Sequence, residues 1–76
     1  MDPNNWIDIG LEHLNQEEYA EAEKAFRHAI DIDPPNSKIW NYLGFALGNQ
    51  EKYAEAEEAY RRAIDIDPDV SRNLIP

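Results

Sequence analysis

The sequence predicts an all-α protein that contains two copies of one helical hairpin. The first observation is an internal repeat with a period of 34 residues: positions 19–34 read YAEAEKAFRHAIDIDP and positions 53–68 read YAEAEEAYRRAIDIDP. The second is that apolar residues in both segments recur at steps of three and four, the period of an amphipathic helix. The third is the proline that closes each copy, Pro34 and Pro68. Together these patterns indicate a short helical solenoid.

Each repeat is expected to hold two helices. Pro3 suits the first position of a helix, where its missing N–H would have no partner, and Asp2 is the predicted N-cap. Prolines stop both second helices, and loops of a few residues make neighbouring helices antiparallel. The predicted helices run from Pro3 to about Asn15, from about Glu18 to Ile32, from Asn36 or Ser37 to Leu47 or Gly48, and from about Lys52 to Ile66.

The second helix of each repeat is apolar on one face and charged on the other. Glu23 and Arg27 lie four residues apart on the charged face and recur as Glu57 and Arg61. An ion pair at this spacing stabilises a helix by about 0.2–0.5 kcal/mol. The apolar stripe of the first copy consists of Tyr19, Ala22, Phe26, Ala29 and Ile30.

The chain is acidic and contains no cysteine. Sixteen Asp and Glu residues stand against seven Lys and Arg, which gives 76 residues a net charge of −9. Surfaces that carry phosphates repel such a charge, so nucleic acids and membranes are not expected partners. The lack of cysteine excludes disulfides, thiolate metal sites and cysteine nucleophiles. No apolar run is long enough to span a bilayer and the N-terminus is not a secretory signal, so the sequence predicts a cytoplasmic protein.

The repeated positions carry a family resemblance. The first copy supplies Trp6, Ile9, Gly10, Tyr19, Ala22, Phe26, Ala29 and Pro34. The second supplies Trp40, Leu43, Gly44, Tyr53, Ala56, Tyr60, Ala63 and Pro68. In this order and at this period they resemble the tetratricopeptide repeat (TPR), over residues 3 to about 70. The pattern departs from the family at His13 and Leu47, where an aromatic residue is usual, and at Glu17 and Glu51, where glycine is usual.

The resemblance implies an α-α superhelix of two antiparallel helix-turn-helix units. They form one domain at residues 1–76, with repeat one at 3–36, repeat two at 37–70 and a tail at 71–76. Small residues are expected where the two helices of a repeat approach closely. Gly10 is therefore predicted to face Ala22, and Gly44 to face Ala56.

In TPR proteins the first helix of each repeat lines a concave groove, so the resemblance implies a protein or peptide partner. The implied groove positions are Asn4, Ile7, Leu11, Leu14 and Asn15 in repeat one, and Lys38, Asn41, Phe45, Gly48 and Asn49 in repeat two. Ile7, Leu11 and Phe45 make an apolar strip, which marks either a partner site or a contact with a second copy. Ile7 and Leu11 stand where carboxylate-binding members of the family have Lys and Asn, so no such clamp is expected.

The last predicted helix has no full capping helix after it. Solenoids bury their core between neighbouring repeats, and residues 69–76 are too few to form a complete helix. Tyr60, Ala63 and Ile64 are therefore expected to be uncovered and to mediate self-association into a homo-oligomer. A longer repeat array, a tail folded back on the helix, or a helix exchanged between copies would cover the same surface.

No residue set for catalysis, for a cofactor or for a metal ion emerges from the sequence. His13 occupies a helix-packing position, and His28 stands where repeat two has Arg62, which indicates a tolerant surface site. The Asp-x-Asp-Pro segments at the helix ends lack the glycine and the terminal glutamate of a calcium loop. The leading hypothesis is a non-enzymatic protein-interaction scaffold, and its rival is a self-assembling structural element.

Overall fold

The computed structural model describes residues 3–68, which form four α-helices. These are α1 (Pro3–Asn15), α2 (Tyr19–Ile32), α3 (Ser37–Gly48) and α4 (Tyr53–Ile66). Each begins and ends within one residue of its expected bounds, and no strand occurs within residues 3–68. The all-α prediction is therefore confirmed. The predicted N-cap Asp2 and the tail at 71–76 lie outside the described residues.

The helices pack on one another in chain order. The main contacts join α1 to α2, α2 to α3 and α3 to α4, so the two middle helices are covered on two sides. Four large side chains are fully buried: Phe26, Ile39, Leu43 and Leu47. Alanines of α2, α3 and α4 fill the rest of the core, because a methyl group lets two helices approach closely. They are Ala22, Ala25, Ala29, Ala46, Ala56, Ala59 and Ala63.

The turns within the two repeats have the same backbone hydrogen bonds. In the first turn the N–H of Glu18 donates to His13 O at 2.8 Å, and the N–H of Glu17 donates to Leu14 O at 3.0 Å. This pair of bonds is a Schellman motif, whose central residue adopts a left-handed backbone conformation. Glu17 has φ 60° and Glu51, its counterpart in the second turn, has φ 64°. A glutamate thus occupies each position where the conformation favours glycine.

The connection between the repeats fixes the start of α3. The Asn36 side chain accepts a hydrogen bond from the Lys38 N–H at 3.1 Å, so Asn36 is the N-cap of α3, as one of the two predicted caps. The indole N–H of Trp40 donates to Pro34 O at 2.8 Å and ties the first turn of α3 to the end of repeat one. The proline that ends one repeat therefore also helps to orient the next.

The two glycines of the repeat signature make room for aromatic rings. A Cβ at Gly44 would lie 2.8 Å from the nearest ring carbon of Tyr60, and a Cβ at Gly10 would overlap the ring of Phe26. The sequence predicted alanines at these contacts, and that prediction was wrong, because the ring from one turn further along the second helix reaches the glycine first. Ala56 instead lies near Gly48, at 4.0 Å from a Cβ built there.

Candidate functional site

The first candidate surface is the A-helix face, formed by the groove positions that the sequence predicted on α1 and α3. Its members are Asn4, Ile7, Leu11, Asn15, Lys38, Asn41, Phe45 and Asn49. Phe45 is 50% exposed, and four polar members are also exposed. These polar members are Asn4, Asn15, Lys38 and Asn49. The A-helix face therefore presents one open aromatic ring among amide groups and one ammonium group.

The aliphatic members of the A-helix face are less open than the sequence suggested. Ile7 and Leu11 are half-buried and pack against the hydrophobic core, as does the neighbouring Leu14. Asn41 is half-buried. Since the packing of α1 uses much of the Ile7 and Leu11 surface, the predicted apolar strip is reduced mainly to Phe45.

The region around Phe45 is held in place by local hydrogen bonds. The Asn49 side-chain amide donates to Phe45 O at 2.8 Å, and the Asn49 backbone N–H donates to the same oxygen at 3.1 Å. These bonds fix the amide of Asn49 one turn from the ring of Phe45. Its side-chain oxygen can still accept a hydrogen bond from a ligand.

The contact between the repeats is organised by Glu23 on α2. Its carboxylate accepts hydrogen bonds from Gln50 Nε2 at 2.9 Å, Arg27 Nε at 2.9 Å and Lys52 Nζ at 3.2 Å. The same Gln50 amide lies 3.4 Å from Tyr19 O. The sequence placed Glu23 on a solvated face, but only 13% of its side chain is exposed. Glu23 therefore joins α2 to the turn between α3 and α4.

Burial and pairing act in opposite directions on the pKa of Glu23. Burial alone raises the pKa of a carboxyl group, because it disfavours the charged form. The hydrogen bonds from Gln50, Arg27 and Lys52, together with the positive charge of Lys52, favour the charged form and prevail. The pKa of Glu23 is therefore lowered below its ordinary value.

The second candidate surface is the α4 outer face, which repeats the α2 surface that α3 covers. It consists of Tyr53, Glu57, Tyr60 and Ile64, the counterparts of Tyr19, Glu23, Phe26 and Ile30. Glu57 is 64% exposed at its side chain, Tyr53 is 67% exposed and Ile64 is 43% exposed. Each of their counterparts on α2 is more buried, because α3 packs there.

Two of the residues predicted for self-association are less accessible than expected. Ala63 is fully buried inside the chain, so it cannot contribute to an exposed patch. Tyr60 is half-buried against Gly44, and burial raises the pKa of its hydroxyl above the usual value. Ile64 is the one of the three that is exposed.

An aromatic contact within each repeat was missed by the sequence analysis. The ring of His28 stacks on Trp6 with centroids 4.4 Å apart, and the Arg62 guanidinium lies over the Trp40 ring at 5.7 Å from its centroid. The two positions are equivalent by the 34-residue shift, so each repeat places a flat side-chain group, imidazole or guanidinium, against its tryptophan. A planar group at the same position of both repeats was the sequence signal that could have predicted this contact.

A shallow cleft of about 210 Å³ lies between α2, α3 and α4. Arginine and glutamate side chains line its rim over an apolar floor that includes Leu43 and Ala59. Within residues 3–68 there is no cluster of three metal-binding side chains. Over the same part of the chain, no helix has both the length and the apolar character to cross a membrane.

The comparisons with known proteins agree with this geometry. Residues 7–71 match the sequence model of the tetratricopeptide repeat family. No curated protein matches the chain. Proteins of this family are in general non-enzymatic modules for protein–protein interaction. The match spans most of the sequence and the four helices form two tandem hairpins, so the chain belongs to the tetratricopeptide repeat family.

Proposed function

We propose that the chain is a non-enzymatic interaction module that binds a partner protein or peptide through the A-helix face. The observation that carries the proposal is the exposure of Phe45, because its helix α3 is covered by both α2 and α4. Every other exposed large apolar side chain among the described residues lies on α1, on α4 or at the last residue of α2. Aromatic side chains, phenylalanine among them, are enriched in the cores of protein interfaces.

The groups around Phe45 favour a partner segment in an extended or helical form. Asn41 lies one turn before Phe45 in α3 and Asn49 lies one turn after it, at the C-cap, and each side-chain amide can both donate and accept a hydrogen bond. Lys38 lies at the start of the same helix and can bind a carboxylate of the partner. The partner would place an apolar side chain against Phe45 and polar groups against the asparagines.

A selection from a displayed peptide library tests this proposal. Peptides enriched on the full chain should bind Phe45→Ala at least about tenfold more weakly, which corresponds to about 1.4 kcal/mol. Ile32→Ala is the matched control, because Ile32 is an exposed apolar residue (38%) at the end of α2, outside the A-helix face. Equal binding to wild type and to Phe45→Ala would place the partner site elsewhere.

A second candidate function is self-assembly through the α4 outer face. The observation that favours it is Ile64, which is 43% exposed whereas its counterpart Ile30 packs against the core. A second copy that covers this face would produce a homo-oligomer. Light scattering on the wild type and on Ile64→Glu tests the candidate: the wild-type mass should exceed 8.8 kDa and rise with concentration, and the variant should be monomeric. A wild-type mass of 8.8 kDa at all concentrations would count against it.

A further inference from the structure

We propose that the cleft between α2, α3 and α4 binds a free α-amino acid with an apolar side chain. The cleft has a volume of about 210 Å³, and no member of the A-helix face or of the α4 outer face lines it. The apolar side chain enters the cleft, while the α-carboxylate pairs with Arg62 and the α-ammonium group pairs with Glu58. Both residues line the cleft from α4. This binding is independent of a partner at the A-helix face.

The floor of the cleft is apolar and belongs to the core. Leu43, Leu47 and Ala59 are each no more than 3% exposed, and the half-buried Trp40 also lines the cleft. The indole of Trp40 is fixed, because its N–H donates to Pro34 O at 2.8 Å. An apolar cavity of about 150 Å³ can hold one benzene ring. The cleft is therefore large enough for the side chain of phenylalanine or leucine.

Two opposite charges on the rim are available to a ligand. Within residues 3–68, Glu58 makes no hydrogen bond or ion pair, and Arg62 has one electrostatic contact, with the ring of Trp40 at 5.7 Å from its centroid. The other two arginines, Arg27 and Arg61, each bind the glutamate four residues earlier in the helix. Arg62 lies over Trp40 instead of pairing with Glu58, so a carboxylate and a guanidinium remain open at the cleft.

The balance of charge around the cleft favours a zwitterion over a simple anion or cation. The other two charged groups of the rim pair with each other across the cleft, since Arg27 Nη2 lies 3.7 Å from Glu55 Oε1. The rim thus carries two positive and two negative charges. A simple anion would also meet the net charge of −9 on the chain, whereas a zwitterion has no net charge for that field to repel.

The two open charges are also positions at which the second helices of the repeats differ. The segments 19–34 and 53–68 differ at three positions, and two of these are Lys24/Glu58 and His28/Arg62. Both α4 residues of these pairs line the cleft. The repeat-one residues, lysine and histidine, would offer no carboxylate for an ammonium group. The helix that borders the cleft therefore carries the charge pair that an amino acid requires.

The test titrates the full chain, labelled with ¹⁵N, with L-phenylalanine at pH 7. The indole N–H signal of Trp40 should shift with a Kd of about 1–10 mM, whereas that of Trp6, which stacks on His28 outside the cleft, should not. Phenylpropionate lacks the ammonium group and phenethylamine lacks the carboxylate, so each should bind about two- to fivefold more weakly. Glycine, which has no side chain, should cause no shift.

The repeat itself supplies the variants that test the two charges. Glu58→Lys and Arg62→His introduce the repeat-one residues and should each weaken phenylalanine binding about two- to fivefold. Glu57→Lys and Arg61→His make the same changes at neighbouring positions outside the cleft and should leave the affinity unchanged. Equal affinities for phenylalanine and phenylpropionate, equal effects of the cleft and control variants, or no shift of the Trp40 signal up to about 20 mM phenylalanine would overturn the inference. The ligand series needs no variant, so it decides even where a variant fails to fold.

Discussion

Replacement of Glu23 by glutamine should destabilise the chain more than the same replacement of Glu57. The two residues are equivalent by the repeat, lie on helices of nearly identical sequence and pair with an arginine four residues later. They differ in surroundings, since Glu23 also binds Gln50 and Lys52 across the repeat contact. The comparison therefore isolates the inter-repeat bonds from helix propensity and from the local ion pair.

The size of the effect follows from the number and exposure of the bonds. Each half-exposed ion pair contributes about 0.2–1 kcal/mol, and the amide bond to the part-buried charge adds about 1 kcal/mol. Glu23→Gln should therefore cost about 1–2 kcal/mol, against about 0.3–0.5 kcal/mol for Glu57→Gln, which loses one exposed pair. The excess of about 1 kcal/mol corresponds to a Tm lower by about 4–8 °C for a domain of this size.

Thermal unfolding followed by circular dichroism measures the difference, and pH provides a second readout. The pKa of Glu23 is lowered in the folded chain, so its contribution is present above the unfolded-state pKa of about 4.3 and is lost as the pH falls through the folded-state value. The Tm gap between wild type and Glu23→Gln should accordingly narrow as the pH falls below about 4.3. Equal Tm losses for both variants at pH 7, or a gap for Glu23→Gln that widens on acidification, would refute the reasoning.

Two further predictions concern backbone conformation and helix contact. Glu17→Gly should raise the free energy of unfolding by up to about 1 kcal/mol, because φ 60° strains a residue with a Cβ. Gln16→Gly, at a negative φ, should lower the free energy of unfolding by about 0.5–1 kcal/mol. Urea unfolding that shows changes of the same sign for both variants would contradict this prediction. Gly44→Ala should destabilise by up to about 2 kcal/mol, because its Cβ would lie 2.8 Å from the Tyr60 ring. Gly48→Ala should raise the free energy of unfolding by about 0.5–1 kcal/mol in the same assay, because its Cβ would make only an ordinary contact, at 4.0 Å from Ala56 Cβ. A lower free energy of unfolding for Gly48→Ala would contradict this prediction.

The bounds of the helices were predictable because the signals for them are local. Pro3 and Asn36 at helix starts, and Pro34 and Pro68 beyond helix ends, act through backbone geometry that no distant contact changes. Which side chain of the second helix contacts the signature glycine of the first helix was less predictable. The signature Gly10 accommodates the ring of Phe26 instead of a methyl group, and this depends on how far along α2 the two helices cross.

The environment of a repeated residue was not predictable from the residue itself. Glu23 and Glu57 lie in nearly identical segments, which differ at the next residue (Lys24 or Glu58), yet 13% of one side chain and 64% of the other is exposed. The difference comes from α3, which packs on α2 and brings Gln50 with it. A repeat unit therefore specifies a surface, and the next element to pack on that surface decides whether it becomes part of the core or remains a binding site.

The two ends of the described solenoid are consequently unlike in chemistry. The outer side of α1 carries Asn5 and Glu12 at positions that are apolar on α3, although it keeps an exposed Ile9 at the position of Leu43. The outer side of α4 keeps the residues that receive a helix in the middle of the chain, with Glu57 in place of Glu23. The surface that lies within the core at α2 is thus more exposed at α4, where we propose contact with a second copy. The A-helix face is a separate surface, because Phe45 is exposed on a helix that α2 and α4 both cover.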